Sequence, residues 1–282
     1  MTESIDRLDA TDPDLTPDSD TAPALPDAAA ARPVAPTRGA LRPLGMGEVR
    51  ITGGFWHRRQ QVNGGSTIEH CRTWMDRLGW TANFTDPAGP GSRDRRGREF
   101  SDSEVYKLLE AMSWETGRSA QGARRWQSGI TELAGAVAAV QSPDGYVNTS
   151  FGGPGRRPRY SDLNFGHELY CTGHLLQAAV AHARTGGGDG LLAPARRAAD
   201  HVCEAFGDDG IQSVGGHPEI EPALVELARL TGEQRYLDQA VRFLDRRGRG
   251  TLPEHAMGRA YFQDDVPIRD AGALRGHAVR AL

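Results

Sequence analysis

The 282-residue sequence lacks long apolar runs, contains three cysteines and has Lys107 as its only lysine. No segment reaches the roughly 18 apolar residues that a membrane-spanning helix needs, so no membrane partner is expected. Cys71, Cys171 and Cys203 are far apart, which excludes a disulfide scaffold and a CxxC-type zinc module. The formal net charge of −4 supplies no basic excess to neutralise phosphates, which argues against nucleic acid as a partner.

Residues 1–44 are predicted to form a disordered N-terminal tail. They are rich in proline and aspartate, contain an alanine run at Ala28–Ala31 and have almost no aromatic side chains. Such a segment buries too little apolar surface to offset the entropy lost on ordering. The start is acidic and has no apolar stretch of the kind found in a secretory signal, so a cytoplasmic location is predicted. Residues 45–282 are predicted to form the folded domain.

Most of the remaining sequence has the apolar periodicity of helices. Helices are predicted in the following ranges: 66–80, 101–115, 130–141, 167–183, 192–206, 218–230, 236–246 and from 276 onward. Val49–Trp56 alternates before it turns, which suggests a short strand or extended entry. Ser101 and Glu104 have the spacing of a helix capping box.

Glycine- and proline-rich loops separate these helices, so the chain is predicted to form a series of helical hairpins. Each hairpin leaves one apolar face that only a neighbouring hairpin covers. An open solenoid and a closed α/α toroid both meet this requirement, and the lack of short repeats of fixed length favours the toroid. The predicted fold class is therefore all-α, as part of a toroid of the (α/α)6-barrel type.

Three histidines each follow a glycine near a predicted helix start: His167, His217 and His277. For one such residue alone, an ordinary loop or capping role is sufficient. Because ring-forming hairpins bring equivalent helix ends to one mouth, the three imidazoles are predicted to converge there. Imidazoles hydrogen-bond polar, neutral ligands such as sugars, and the dipole at a helix start favours their neutral form.

The segment after Asn164 offers a second candidate site. His167, Cys171 and His174 lie on one helical face, a pattern compatible with zinc. The favoured interpretation is that Cys171 is a small buried apolar side chain and that His174 is a satisfied histidine at a close helix contact, so no metal ligand is assigned. Several carboxylates are candidates for general acid or base work, and spacing selects none of them: Asp102, Glu104, Glu168, Glu219 and Glu221.

Six motifs occur in order along the folded part: VRITGGFW from Val49, FSDSEVYKLLEA from Phe100, QSPDGYVNT from Gln141, NFGHELYCTGHLLQAAVAH from Asn164, GHPEIEPALVEL from Gly216 and GHAVRA from Gly276. With these motifs, the chain from about residue 48 resembles the β-L-arabinofuranosidase family, glycoside hydrolase family 127. The resemblance implies an α/α-toroid catalytic domain. It also implies hydrolysis, with retention, of terminal β-L-arabinofuranosyl residues in arabinose-containing oligosaccharides or glycoconjugates.

The resemblance implies site residues as well. The family's active-site histidines match His167, His217 and His277, which are therefore expected to bind substrate. The family uses a cysteine thiolate held on Zn²⁺ as nucleophile and a glutamate as acid/base, and both follow the GHAVRA motif. The three cysteines here match none of those positions, and Asp265 stands where histidine is expected.

The expectation from this comparison is a truncated catalytic domain that ends at Leu282, before the nucleophile, the acid/base glutamate and the zinc ligands. No catalytic residue is assigned within the chain, and the chain alone is expected to be inactive. Two alternatives stay open: a non-catalytic sugar-binding remnant, and a half-enzyme that needs a separate C-terminal half.

Overall fold

The computed structural model describes residues 44–85 and 95–281, so the predicted tail lies, apart from Leu44, outside the described residues. The described chain is helical, and its only β-type pairing is an isolated bridge between Phe151 and Arg157. None of its helices combines the length and apolarity required to span a bilayer. The helices in these residues are α1 (Gly54–Val62), α2 (Ile68–Arg77), α3 (Ala82–Thr85), α4 (Ser101–Arg118), α5 (Ala120–Val140), α6 (Glu168–Arg184), α7 (Leu192–Ala205), α8 (Ile220–Thr231), α9 (Gln234–Arg246) and α10 (Ala278–Ala281).

The helices from α4 to α9 pair as successive hairpins, α4 with α5, α6 with α7 and α8 with α9. Helix α6 also contacts both α4 and α8, so these three form an inner row, while α7 and α9 contact each other in an outer row. Helix α2 extends the inner row by packing against α4. Alternating inner and outer helices are the arrangement of an α/α toroid, and the predicted all-α fold class is confirmed.

Helix α6 lies at the centre of the inner row and is buried on most of its surface. Its small residues, including Ala178 and Ala179, are fully buried and permit close contact with its neighbours. A Cβ added at Gly173 would lie 2.8 Å from Glu219 Cγ and 2.9 Å from the Glu219 backbone. The glycine therefore lets α6 approach the segment that enters α8, which carries His217.

Two predictions at helix starts differ from the structure. Helix α1 begins at Gly54, so only the first part of Val49–Trp56 is extended. Phe100, not a serine, occupies the N-cap of α4, and no side chain caps the helix there. Glu104 accepts a hydrogen bond of 2.9 Å from Lys107 on the same helix instead of completing a capping box.

Helix α5 starts at Ala120, well before the range 130–141 predicted from apolar periodicity. Ser119 caps it, because its Oγ accepts a hydrogen bond of 3.0 Å from the Gly122 backbone N–H. The first turns are polar in sequence, yet Trp126 is completely buried there. Burial of the Trp126 side chain therefore stabilises the first turns of α5, where the apolar periodicity of the sequence is weak.

The segments that enter the inner helices meet at one end of the array. Phe100, before α4, packs against His167, before α6, with ring centroids 5.5 Å apart. His167 in turn contacts His217, which precedes α8. This end of the inner row is the mouth that the hairpin pattern predicts.

Candidate functional site

His167 occupies the N-cap of α6 in a left-handed conformation, with φ of 58°. A side chain rarely adopts this backbone region, so the position is held by its surroundings. The Nδ1–H donates to the Phe165 carbonyl oxygen, which leaves Nε2 of the neutral ring as an acceptor. The turn before it is tight, because a Cβ at Gly166 would lie 2.4 Å from the Asp162 carbonyl oxygen.

His217 lies on the loop that leads into α8, and its ring centroid is 5.6 Å from that of His167. Its Nδ1–H donates to the Pro218 carbonyl oxygen at 3.0 Å, so Nε2 is again the acceptor. The loop is pressed against the segment before α6: a Cβ at Gly216 would lie only 2.3 Å from the Asn164 carbonyl oxygen. Backbone contact, not side-chain packing alone, thus sets the spacing of the two imidazoles.

His277 is an exposed residue at the start of α10. Its backbone N–H donates to the Tyr261 carbonyl oxygen at 3.4 Å, and the two rings are 5.3 Å apart. The buried Arg280 guanidinium, one turn further on, donates to the carbonyl oxygens of Gly216 and Asn164. One arginine therefore ties α10 to both of the loops that carry the other two histidines.

The sequence predicted that the three histidines converge, and the structure brings them to one end of the inner row. Burial lowers the pKa of His167, and Arg280 adds to the effect. Burial lowers the pKa of His217 to about 4, with smaller contributions from Arg280, His167 and His277. Both half-buried imidazoles are therefore neutral at pH 7.

Tyr170 and Lys107 line the same mouth, and the sequence analysis gave neither a role in it. The Tyr170 ring lies 4.3 Å from the His217 ring and 4.5 Å from the His174 ring. Its hydroxyl accepts a hydrogen bond of 3.0 Å from Lys107 Nζ. His174 is not the satisfied histidine that was predicted: both ring nitrogens are buried without a hydrogen-bond partner, and Glu219 Oε1 lies 3.5 Å from Nδ1.

Two of the predicted carboxylates have a pKa near neutrality. Burial raises the pKa of Glu219 to about 7, and the nearby Glu110 charge adds to it. Burial also raises the pKa of Glu168 to about 7, against hydrogen bonds donated by the Tyr146 hydroxyl and the Tyr160 backbone N–H. A carboxyl group of this kind can hold or release a proton at physiological pH.

Two other predicted carboxylates are structural anchors. Buried Asp102 accepts hydrogen bonds from the backbone N–H and the hydroxyl of Thr149, at 2.7 and 2.5 Å, and so fixes a loop to the start of α4. Buried Glu221 accepts from Arg247 at 3.0 Å. These contacts give each carboxylate a structural role.

His167, Cys171 and His174 share one face of α6, the pattern that was compatible with zinc. Cys171 lies within the core, 1% exposed, and burial raises its pKa well above the usual value for a thiol. This environment agrees with the predicted role of Cys171 as a small buried apolar side chain. Across residues 44–85 and 95–281, no three His, Cys, Asp or Glu side chains are grouped so that they could hold a metal ion. The Zn²⁺ ion that the resemblance implies, with its ligands after the GHAVRA motif, stays a prediction for the whole protein.

Comparison with known proteins agrees with this fold. The sequence profile of the β-L-arabinofuranosidase GH127 catalytic domain matches residues 48–282. A helical chain with this match is part of a glycoside hydrolase family. The chain belongs to the β-L-arabinofuranosidase family GH127, as the motifs predicted.

Individual relatives are similar over most of this chain. A non-reducing end β-L-arabinofuranosidase of Bifidobacterium longum subsp. longum is 32% identical over 82% of the chain and 41% of its own length. The structure of a GH127 β-L-arabinofuranosidase from Geobacillus stearothermophilus T6 superposes with a TM-score of 0.73 at 31% identity, covering 83% of this chain and 40% of that one. Another GH127 β-arabinofuranosidase gives 0.74 at 30% identity, covering 89% and 39%. The chain thus spans about two fifths of the length of these relatives.

Proposed function

We propose that the mouth formed by His167, His217 and His277 binds the terminal β-L-arabinofuranosyl residue of an arabinose-containing oligosaccharide or glycoconjugate. The observation that carries the proposal is the contact between His167 and His217, each with Nδ1–H engaged by a backbone carbonyl. Each ring therefore offers Nε2 to a sugar hydroxyl donor. The names of the relatives, all arabinofuranosidases, supply the identity of the sugar.

The electrostatics of the site suit an uncharged ligand. Burial and the Arg280 charge lower the pKa values of His167 and His217, so neither ring carries a positive charge that would attract an anion. Because a backbone carbonyl already engages each Nδ1–H, each neutral imidazole presents Nε2 as an acceptor, which suits a hydroxyl donor of a sugar. His277 is exposed, and its ring packs against that of Tyr261 at 5.3 Å.

For the whole protein, the proposed reaction is hydrolysis of the β-L-arabinofuranosyl bond with retention. Family membership supports this step, while the described residues support binding and orientation of the sugar. Cys171 matches none of the family's nucleophile positions, and it lies within the core. Sugar binding without turnover is the second candidate for the chain by itself. The separate C-terminal half and the cytoplasmic location stay predictions.

Calorimetric titration of the purified chain with L-arabinose tests the binding role. We expect binding by the parent chain and its loss in His217→Gln, because the variant lacks the Nε2 acceptor at the centre of the mouth. His70→Gln is the matched control, since His70 is exposed on α2 away from the mouth. Binding that survives in His217→Gln, or no binding by the parent chain, contradicts the proposal.

An activity assay separates binding from turnover. The chain alone, with added Zn²⁺, is expected to give no hydrolysis of an aryl β-L-arabinofuranoside above the level of a His277→Ala control. Turnover above that control would show that residues of this chain complete the catalytic machinery.

A further inference from the structure

Lys107, the only lysine in the sequence, lies on the inner helix α4 and makes two hydrogen bonds. Its Nζ donates to the Tyr170 hydroxyl at 3.0 Å and to Glu104 Oε1 at 2.9 Å. The same ammonium group lies 5.2 Å from the centre of the Tyr170 ring. The hydroxyl end of this tyrosine is therefore held from α4, although Tyr170 itself belongs to α6.

Tyr170 is the one ring in the described mouth that contacts three imidazoles. Its centroid lies 4.3 Å from that of His217, at an interplanar angle of 52°. It lies 4.5 Å from His174 and 5.6 Å from His167, at 82° in both cases. Edge-to-face packing at such distances has a preferred geometry, so the tilt of Tyr170 constrains the tilt of its neighbours.

We infer that Lys107 and Tyr170 are positioning residues: Lys107 fixes the Tyr170 ring, and that ring sets the orientation in which His167 and His217 present Nε2 to a ligand. This inference rests on the proposed function of the two histidines. It assigns a role to the pair even though neither side chain hydrogen-bonds His167 or His217. A hydrogen bond needs its acceptor within a narrow range of distance and angle, so a small ring rotation at His217 weakens ligand binding.

The type of cation matters for this geometry. A lysine ammonium is a compact charge with three donors, and here it serves a phenol and a carboxylate at once. A guanidinium is planar and larger, and a chain that otherwise uses arginine for its permanent cations has lysine at this point. The positive charge also acts through space, since Lys107 contributes to the lowered pKa of His174.

The inference is tested with Tyr170→Phe, which keeps the ring and removes the hydroxyl, and with Lys107→Met, which removes the ammonium group. Tyr236→Phe is the matched control, because the Tyr236 hydroxyl bonds Asp200 at 2.6 Å between the outer helices. The first readout is the ¹⁵N-detected NMR spectrum of the imidazoles at pH 7, assigned with His167→Gln and His217→Gln. The second readout is the dissociation constant for L-arabinose.

We expect both site variants to shift the imidazole signals of His167 and His217. They should also weaken L-arabinose binding by roughly threefold or more, the effect of losing one modest hydrogen bond. Tyr236→Phe should change neither readout. Unchanged imidazole signals in Tyr170→Phe would overturn the inference, and this variant decides the matter if Lys107→Met does not fold. If the parent chain binds no L-arabinose, the proposed function fails, while the imidazole spectra still report whether the pair positions the rings.

Discussion

Replacement of Gly216 by alanine is expected to force apart the loops that carry His167 and His217. The new Cβ would lie 2.3 Å from the Asn164 carbonyl oxygen and 2.8 Å from its carbonyl carbon, both backbone atoms that no side-chain rotation moves away. Overpacking of this kind costs about 1–3 kcal/mol, of which the lower chain entropy of alanine offsets about 0.4–1 kcal/mol. For a domain of this size, each kcal/mol lowers the melting temperature by about 2–4 °C.

Gly215→Ala is the control on the adjacent residue. Its Cβ would meet the Leu169 side chain at 3.3 Å, a contact that a few tenths of an ångström relieve. Thermal unfolding should therefore show a lower melting temperature for Gly216→Ala and a change within about 0.5 kcal/mol for Gly215→Ala. L-arabinose binding should weaken only in Gly216→Ala, because only that change alters the spacing of the imidazoles. Equal stability of the two variants would refute the view that backbone contact sets this spacing.

Three further outcomes follow from the contacts and pKa shifts. Arg280→Met should lower the free energy of unfolding in urea by about 1–3 kcal/mol, because the carbonyl oxygens of Gly216 and Asn164 lose a buried donor. The pKa of His217, followed by NMR titration, should rise in that variant, and a constant pKa would contradict the assigned effect of the arginine charge. Ser119→Ala should cost about 1 kcal/mol in urea by removing the cap of α5, with L-arabinose binding unchanged; a loss of binding would show that α5 shapes the mouth. As the pH falls from 6.5 toward 4, the unfolded chain protonates His217 while the folded chain does not, so His217 contributes a downward slope to stability, opposed by Glu168 and Glu219 with their raised pKa values. His217→Gln should reduce that slope, and an unaltered slope would show that the ring is not buried in the neutral form.

The helices and their hairpin order could be predicted because the apolar periodicity is strong in α4, α6, α8 and α9. The first half of α5 could not, since its turns are polar and only Trp126 and the Ser119 cap hold them. The prediction of a capping box at the start of α4 was wrong, because Glu104 pairs with Lys107 instead. Local spacing names the residues that can form a cap, and the neighbouring side chains decide which contact forms.

The site divides in the same way. The glycine-histidine pattern identified His167, His217 and His277, since it depends on helix starts that the sequence marks directly. Their roles in sugar binding stay predictions. The contact of Tyr170 with the histidines could not be predicted from the sequence. Its neighbours in the site include Lys107, which lies 63 positions away in the chain.

The sequence by itself determined the all-helical hairpin order, the family and the choice of the three histidines, because each depends on local spacing and on motifs of adjacent residues. The tertiary structure alone decided which carboxylates are anchors, that the Cys171 thiol is buried, and that Lys107 holds the ring between the imidazoles. The physical reason is that burial and charge depend on what the neighbouring helices bring near. Those neighbours lie tens of residues away in the chain and within a few ångströms in space.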